Sequence, residues 1–284
     1  MSSRSLRILC FGDSLTSGYC AFGAESHPYS LRLEDRLYGA LPRDTHIEVF
    51  TSGVPGDLVT NRSFENRLDV ELGKRTYDWV IMLGGTNDIG SCRSGQKTFQ
   101  ALQQRWDAVL ARGSKVLALT VPECAAKVDW LDEARDELNE SILAHKERGF
   151  HSFDLRAHIP YHSLTEDQRD DLWDDGLHMT PAGYNRMGQQ IADALIRLIQ
   201  QKEEQQLAKA KSRVKEPAAV KADRPVPDQE SGNAKDQEGQ QAKAKPRARK
   251  SAARKDDVLV FDEETGDAKN ISQGYVVVRK RDLE

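Results

Sequence analysis

Residues 6–19 read LRILCFGDSLTSGY, and this stretch decides how the chain is interpreted. Its first half is a short, nearly continuous apolar run, which is typical of a strand covered on both faces. The run leads directly into a serine, Ser14, in a segment with a glycine on either side. We therefore predict a buried strand with Ser14 just beyond its carboxyl end, at the edge where parallel sheets bind ligands.

Further apolar runs resemble the first and alternate with amphipathic segments. The predicted strands cover residues 6–11, 46–51, 78–83, 115–121 and 150–155. The predicted helices cover residues 28–41, 58–73, 97–112 and 128–148. A final helix starts near Thr180 and Pro181, an N-cap followed by a proline at the first helical position. This alternation predicts an α/β protein in which a parallel sheet of about five strands lies between two layers of helices.

Residues that can carry chemistry follow three of the predicted strands or precede the last helix. Because the carboxyl ends of parallel strands share one edge of the sheet, we expect these residues to meet in one site. They are Ser14, Gly53 and Gly56, Asn87, and the pair Asp175 and His178.

The residue types in this set are those that acyl transfer requires. The hydroxyl of Ser14 is a weak nucleophile and needs a base, for which His178 is the candidate. Asp175 lies three residues before His178 and can bond its other ring nitrogen, which fixes the tautomer and stabilises the imidazolium. We predict that Ser14, His178 and Asp175 form a catalytic triad.

The same reaction needs hydrogen-bond donors for the oxyanion. The candidates are the backbone N–H of Ser14, a glycine N–H after the second predicted strand and the side-chain amide of Asn87. Asn87 suits this role because its neutral amide donates, whereas a carboxylate only accepts. Both Gly53 and Gly56 are open as the glycine donor, and a plain turn role for each is the simpler alternative.

Taken together, GDSL at residues 12–15, the loop around Gly56, GGTND at residues 84–88 and DGLH at residues 175–178 resemble the SGNH (GDSL-type) hydrolase family. The resemblance covers about residues 6–200. It implies a flavodoxin-like three-layer α/β/α sandwich and an esterase or lipase activity that needs no metal or cofactor. It also favours Gly56 over Gly53, because the oxyanion glycine of the family is usually followed by a short polar residue. Met179 departs from the family, in which proline often follows the histidine.

Several neighbours of these motifs have expected roles of their own. Asp13 is expected to organise the turn after the first strand, and Asp88 to cap or brace the Asn87 loop. Trp173 fits either a wall of the acyl site or ordinary core packing. The acyl pocket is expected to be shaped by loops such as residues 20–27 and 91–96.

Apolar residues are distributed unevenly along the chain. The hydrophobic fraction is 38% and the mean hydropathy is −0.66, while residues 201–255 hold no Phe, Trp or Tyr. Such a stretch cannot bury enough apolar surface to offset its chain entropy. We predict a hydrolase domain over residues 1–200 and a charged, low-complexity, disordered tail over residues 201–284, with a short β-prone segment at 271–281.

The net charge of −4 is uneven as well. Residues 1–200 sum to −7, whereas residues 201–260 carry 15 Lys/Arg and 10 Asp/Glu. An acidic body argues against nucleic-acid binding by the folded part. The basic cluster at 243–255 suits a polyanion contact or a nuclear address, although solvated disorder is the simpler interpretation. The segment at 271–281 could add a strand to the body or to a protein partner.

Compartment and substrate follow from weaker signals. The four cysteines have no Cys-x-x-Cys spacing, which favours reduced thiols over a metal or redox site. No secretory signal or membrane span is evident in the sequence. We therefore expect a cytoplasmic enzyme that acts on a small, soluble ester. Two alternatives stay open: an acyltransferase or thioesterase with the same site, and an interaction protein with a hydrolase-like body and a binding tail.

Overall fold

A computed structural model describes residues 4–215 of the chain. The strands are β1 (Arg4–Gly12), β2 (Tyr19–Cys20), β3 (Glu25–Ser26), β4 (Thr45–Gly53), β5 (Trp79–Leu83), β6 (Lys115–Leu119) and β7 (Phe150–Phe153). The helices are α1 (Ser14–Ser17), α2 (Ser30–Ala40), α3 (Arg62–Lys74), α4 (Thr86–Gly90), α5 (Gly95–Ala111), α6 (Asp129–Ala144), α7 (Leu155–His158), α8 (Glu166–Leu172) and α9 (Pro181–Lys215).

The main sheet contains the five predicted strands in the order β4-β1-β5-β6-β7, and every neighbouring pair is parallel. The short strands β2 and β3 form a separate antiparallel pair after α1. The chain passes from β1 to β4 on one side and then to β5 on the other side of β1. This reversal places the crevice of a flavodoxin-like sheet between β1 and β5. The predicted fold class is confirmed.

Successive residues of the central strands alternate between two hydrophobic cores. On one face, Ile8 and Cys10 of β1 pack in the same core as the buried side chains of α2 and α9. On the other face, Leu9 and Phe11 pack with those of α3, α5 and α6. Both faces of the sheet are therefore covered, which explains why the strand sequences are continuously apolar and not alternating.

The strand register brings three chain segments to the same edge of the sheet. Gly12, the last residue of β1, lies opposite Gly53 of β4 and opposite Leu83 of β5. The loops that follow these three residues therefore start at one level. They carry Ser14, Gly56 and Asn87, which the sequence analysis selected.

The last helix passes the expected boundary at residue 200. Helix α9 reaches Lys215 because residues 201–215, QKEEQQLAKAKSRVK, are mostly strong helix formers. The division at residue 200 remains a prediction, and it falls within this helix. The continuation of the chain, including the basic cluster at 243–255 and the segment at 271–281, lies outside the described residues. None of the helices in the described part has the length and apolar character that a bilayer crossing requires.

Candidate active site

The serine follows β1 in a tight turn that opens helix α1. Asp13 caps this helix: its side chain accepts from the Leu15 N–H at 3.0 Å, and its backbone oxygen accepts from the Ser17 N–H at 3.0 Å. Ser14 is the first residue of the helix and is only 3% exposed. These bonds agree with the role predicted for Asp13, and they hold the nucleophile candidate at the sheet edge.

The acid–base candidates reach Ser14 from the loop before α9. The hydroxyl Oγ of Ser14 lies 2.9 Å from Nε2 of His178, and Nδ1 of His178 lies 2.8 Å from Oδ2 of Asp175. The backbone N–H of His178 donates to Oδ1 of Asp175 at 2.7 Å. The structure therefore brings the Ser14 hydroxyl to an imidazole and a carboxylate that lie more than 160 positions later in the sequence.

The Asp175 carboxyl is held in its ionised form by its hydrogen bonds. Burial raises the pKa of this group, but bonds from the His178 side chain and backbone and from the Leu177 N–H outweigh burial and lower the pKa to about 2. The carboxylate therefore stays charged at neutral pH. A charged partner at Nδ1 favours the tautomer in which Nε2 can accept a proton from Ser14.

The loop around His178 is fixed from two sides. The aromatic ring of Tyr19 packs on the imidazole with 4.4 Å between the ring centroids. The Asp174 carboxylate accepts the Ala21 N–H at 2.7 Å, which joins the acid–base loop to the segment after α1. His178 is consequently only 6% exposed, and its ring has little freedom to turn away from Ser14.

Gly56 lies in a turn that requires glycine. In the segment Val54-Pro55-Gly56-Asp57, the Asp57 N–H donates to the Val54 oxygen at 3.1 Å, and Gly56 has φ +75°. Proline at the second position and glycine at the third are the pattern of a type II turn. The turn follows β4 and lies at the same sheet edge as Ser14.

Two backbone N–H groups near the serine have no protein acceptor. Within residues 4–215, neither the Ser14 N–H nor the Gly56 N–H donates to a protein atom. Buried backbone N–H groups are nearly always paired in folded proteins. A free N–H on Ser14, a residue that is almost fully buried, is therefore a donor available to a ligand.

Gly53, the alternative to Gly56, has a packing role in the structure. A Cβ atom at Gly53 would lie 2.2 Å from the Ser17 nitrogen and 2.7 Å from the Asp13 oxygen. The residue therefore lets β4 approach the nucleophile turn more closely than any side chain would allow.

Asn87 and Asp88 connect the loops after β4 and β5. The Asn87 amide donates to the Asp57 backbone oxygen at 3.1 Å, which uses one of its two N–H groups. The Asp88 carboxylate accepts the Val59 N–H at 2.9 Å and the Thr60 hydroxyl at 2.7 Å. Asp88 thus braces the loop after Gly56, in agreement with its predicted role.

Sequence reasoning missed Arg67, which holds the same loops together. Its guanidinium donates to the backbone oxygens of Gly12 and Ser52 at 2.8 Å each and pairs with Asp57 at 2.9 Å. It also lies 4.0 Å above the ring of Phe11. In the sequence, Arg67 is one polar residue in an amphipathic helix, so only the folded structure reveals this function.

A cavity of about 210 Å³ lies beside Asp175 and His178. Helices α4 and α6, residues 121–126 and the acid–base loop form its walls, and Leu15, Ile89 and His178 are among the lining residues. The loops at 20–27 and 91–96, which were expected to shape an acyl pocket, do not line it. Trp173 instead packs against Tyr161 in the core.

The fold and the site are those of an ester hydrolase, and the family comparison agrees. Residues 10–186, more than half of the chain, match the model of the GDSL-like lipase/acylhydrolase family. The chain therefore belongs to this family, and it is a carboxylic ester hydrolase. No curated protein is significantly similar to the chain in sequence.

Solved structures share the fold at low sequence identity. The lipase/acylhydrolase from Enterococcus faecalis is 22% identical with a TM-score of 0.55, over 67% of this chain and 95% of its own. A carbohydrate esterase family 3 structure from Talaromyces cellulolyticus is 17% identical with a TM-score of 0.54, over 69% and 99%. The inhibitor-bound aryl esterase of M. smegmatis is 23% identical with a TM-score of 0.51, over 67% and 98%.

Proposed function

We propose that the chain hydrolyses small carboxylic esters through a covalent acyl-enzyme on Ser14, with His178 as the general base and Asp175 as its partner. The observation that carries the proposal is the continuous contact from the Ser14 hydroxyl through the imidazole to the carboxylate, with both joining distances under 3 Å. A weak nucleophile needs such a base, and a base of this kind needs an orienting partner.

The reaction proceeds in two halves. The Ser14 oxygen attacks the ester carbonyl while Nε2 of His178 takes the hydroxyl proton. The imidazolium then gives this proton to the departing alcohol, and the acyl group stays on Ser14. In the second half, His178 takes a proton from water, the hydroxide attacks the acyl carbon, and the acid leaves as the Ser14 hydroxyl is restored.

The oxyanion is bound by the backbone N–H groups of Ser14 and Gly56 and by the amide of Asn87. Their free or partly free donors support this assignment, as does their common position at the ends of β1, β4 and β5. Loss of one such donor typically lowers kcat by roughly 10²–10³. Gly53 is not needed as a donor, because its packing against α1 already accounts for it.

The direct test is Ser14→Ala assayed on p-nitrophenyl acetate. We expect a loss of roughly 10³-fold or more in kcat, because the variant has no nucleophile to acylate. The matched control is Ser17→Ala, which changes a hydroxyl that donates to the Ser14 backbone oxygen and does not touch His178. The proposal is contradicted if Ser14→Ala keeps wild-type activity, or if a fluorophosphonate probe labels Ser14→Ala as strongly as it labels the wild type.

A further inference from the structure

Helix α6 buries a cation in the middle of its apolar side. The residues of this helix that are buried include Leu131, Leu138 and Ile142, and Arg135 lies among them at only 2% exposure. A charged side chain at such a position is costly unless it is paired, and an apolar residue would fill the space more stably. A buried arginine beside a candidate active site therefore calls for a functional explanation.

The partners of Arg135 leave part of its guanidinium unused. One terminal nitrogen pairs with Asp132, and the other donates to the Cys124 sulfur at 3.2 Å, which is a weak acceptor. Within the described residues, the buried Nε of Arg135 has no hydrogen-bond partner. The two bonds use two of the five N–H donors of the guanidinium, so each terminal nitrogen keeps an N–H for an incoming acceptor, whereas Nε is shielded.

Arg135 lines the cavity that reaches Asp175 and His178 and is also lined by Leu15, the residue after Ser14. The same cavity is bounded by His178 and Asp175 at one place and by apolar residues such as Ile89 and Leu131 elsewhere. Its volume of about 210 Å³ is below the ~300–1,000 Å³ of sites for drug-sized ligands. The cavity therefore suits a short chain, and the acyl part of an ester is the part that stays bound between the two halves of the reaction.

Charges around the cavity decide which acceptor fits. The Arg135 cation is already balanced by Asp132, and Glu123, a second wall residue, pairs with Arg156 at 3.6 Å. Asp175 adds a carboxylate that is ionised at neutral pH. An anionic ligand would therefore meet a surplus of negative charge, whereas an uncharged oxygen can accept a hydrogen bond without adding to it.

We propose that the cavity selects short acyl chains that carry an uncharged oxygen, a hydroxyl or a carbonyl, and that Arg135 donates the hydrogen bond to that oxygen. This inference rests on the proposed function, since it assigns the cavity to the acyl group of the acyl-enzyme on Ser14. A buried donor of this kind discriminates strongly, because an analogue without the oxygen leaves the guanidinium unsatisfied.

The test compares matched p-nitrophenyl esters on the full chain. One pair is butyrate and 3-hydroxybutyrate, the second is pentanoate and 4-oxopentanoate, and the hemisuccinate is the anionic probe. Because polar substituents change intrinsic ester reactivity, each kcat/KM is divided by the hydroxide-catalysed rate of the same ester. The variants are Arg135→Met, which removes the donor, and Arg135→Lys, which keeps the charge. The control is Arg105→Met, a buried arginine that pairs with Glu65 and does not line the cavity.

We expect the wild type to favour the oxygenated member of at least one pair by roughly tenfold or more. Arg135→Met should bring this ratio close to one, Arg135→Lys should restore part of it, and Arg105→Met should leave it unchanged. Thermal melts identify variants that do not fold, in which case the wild-type ratios decide alone.

Any of three results overturns the inference. The first is a wild-type ratio of oxygenated to plain ester near one for both pairs, and the second is the same ratio in wild type and folded Arg135→Met. The third is a preference of the wild type for the hemisuccinate. If the butyrate ester is hydrolysed in a Ser14-dependent way but the oxygenated esters are not preferred, this inference is wrong and the proposed function still stands. Hydrolysis that does not depend on Ser14 defeats the proposed function itself.

Discussion

Asp13 is fully buried and Asp175 is partly exposed, and their pKa values are displaced in opposite directions. Burial raises the pKa of Asp13 to about 7, because the Leu15 N–H offsets only part of the desolvation and Oδ2 has no partner among the described residues. Asp175 is also desolvated, but several donors converge on it and lower its pKa to about 2. Asp13 is more deeply buried and Asp175 accepts more hydrogen bonds, and the two differences together displace the pKa values in opposite directions.

Asp175→Asn tests the depressed pKa through stability as well as activity. A carboxyl with a pKa of about 2, against 3.8 for its ordinary value, adds stability above pH 4 that disappears as the pH falls through 2. Because solvent screens this partly exposed carboxylate, we expect the wild type to exceed the variant by only ~1 kcal/mol in unfolding free energy at pH 5–7, with the difference shrinking below pH 4. Urea titrations over this range measure it; a difference that does not change with pH contradicts the assignment. In parallel, kcat should fall by roughly 10⁴-fold.

Asp13→Asn tests the raised pKa of Asp13, and its effect on stability should depend on pH in the opposite direction to that of Asp175→Asn. Folding keeps the Asp13 proton between pH 4 and 7 while the unfolded chain loses it, so this group makes the wild type less stable as the pH rises. Asparagine is an equally good N-cap and does not titrate. The unfolding free energy of the variant should rise relative to that of the wild type by up to ~1.4 kcal/mol per pH unit between pH 4 and 7. Above pH 8 the difference between the two should stay constant. Parallel denaturant titrations decide this, and a constant offset would show that Asp13 does not titrate there.

At the scale of elements, the site depends on how closely β1, β4 and β5 end together. The registers Gly12–Gly53 and Gly12–Leu83 put the three following loops at one level. Arg67 of α3 then ties the ends of β1 and β4 to the Gly56 turn through the Gly12 and Ser52 oxygens and Asp57. The candidate oxyanion donors are therefore positioned by contacts between elements and not by the loops themselves.

Gly53→Ala should disrupt this arrangement. The added methyl group would meet the Ser17 nitrogen and the Asp13 oxygen, and both are backbone atoms that cannot turn away. We expect a loss of about 1–3 kcal/mol in unfolding free energy together with a fall in kcat. Gly39→Ala, in helix α2 with no atom within 4 Å of the new Cβ, is the control and should be neutral or slightly stabilising. Equal behaviour of the two variants in denaturation and assay would contradict the packing argument.

At the scale of the whole molecule, the hydrolase unit is smaller than the chain. The family match ends at residue 186, and solved structures are covered over 95–99% of their length by about two thirds of this chain. Helix α9 contributes Tyr184, Met187 and Ile191 to one core, and Ile199 is the last buried residue among its positions up to residue 204. The division into a domain at residues 1–200 and a separate tail remains a prediction, with the helix extending past the boundary to Lys215.

A chain that ends at Lys215 should keep the enzyme intact. It retains both hydrophobic cores and every residue of the candidate site. We expect its kcat/KM on p-nitrophenyl acetate to lie within about threefold of the full chain, because the core and site residues found in the described part of the chain are all retained. A loss of tenfold or more with an unchanged melting temperature would mean that residues 216–284 take part in the reaction.

Much of this site was predictable because its residue types are rare in combination. The strands at residues 6–11 and 78–83 were recognisable as continuous apolar runs, and the order of elements then placed Ser14 and Asn87 at one edge of the sheet. Arg67 and Arg135 could not be selected in the same way. Each is one polar residue in an amphipathic helix, and its significance comes from partners 15 to 55 positions away or from burial.

The local pattern of the chain by itself determined the parallel sheet, the helices around it and the kinds of group that would meet at its edge, because hydrophobic periodicity and turn chemistry act over a few neighbouring residues. Only the tertiary structure decided that Gly53 has a packing role and Gly56 a turn role, where the cavity lies, and in which direction the pKa values of Asp13 and Asp175 are displaced. Those properties depend on distances between segments and on exclusion of water, and neither is encoded in any single stretch of sequence.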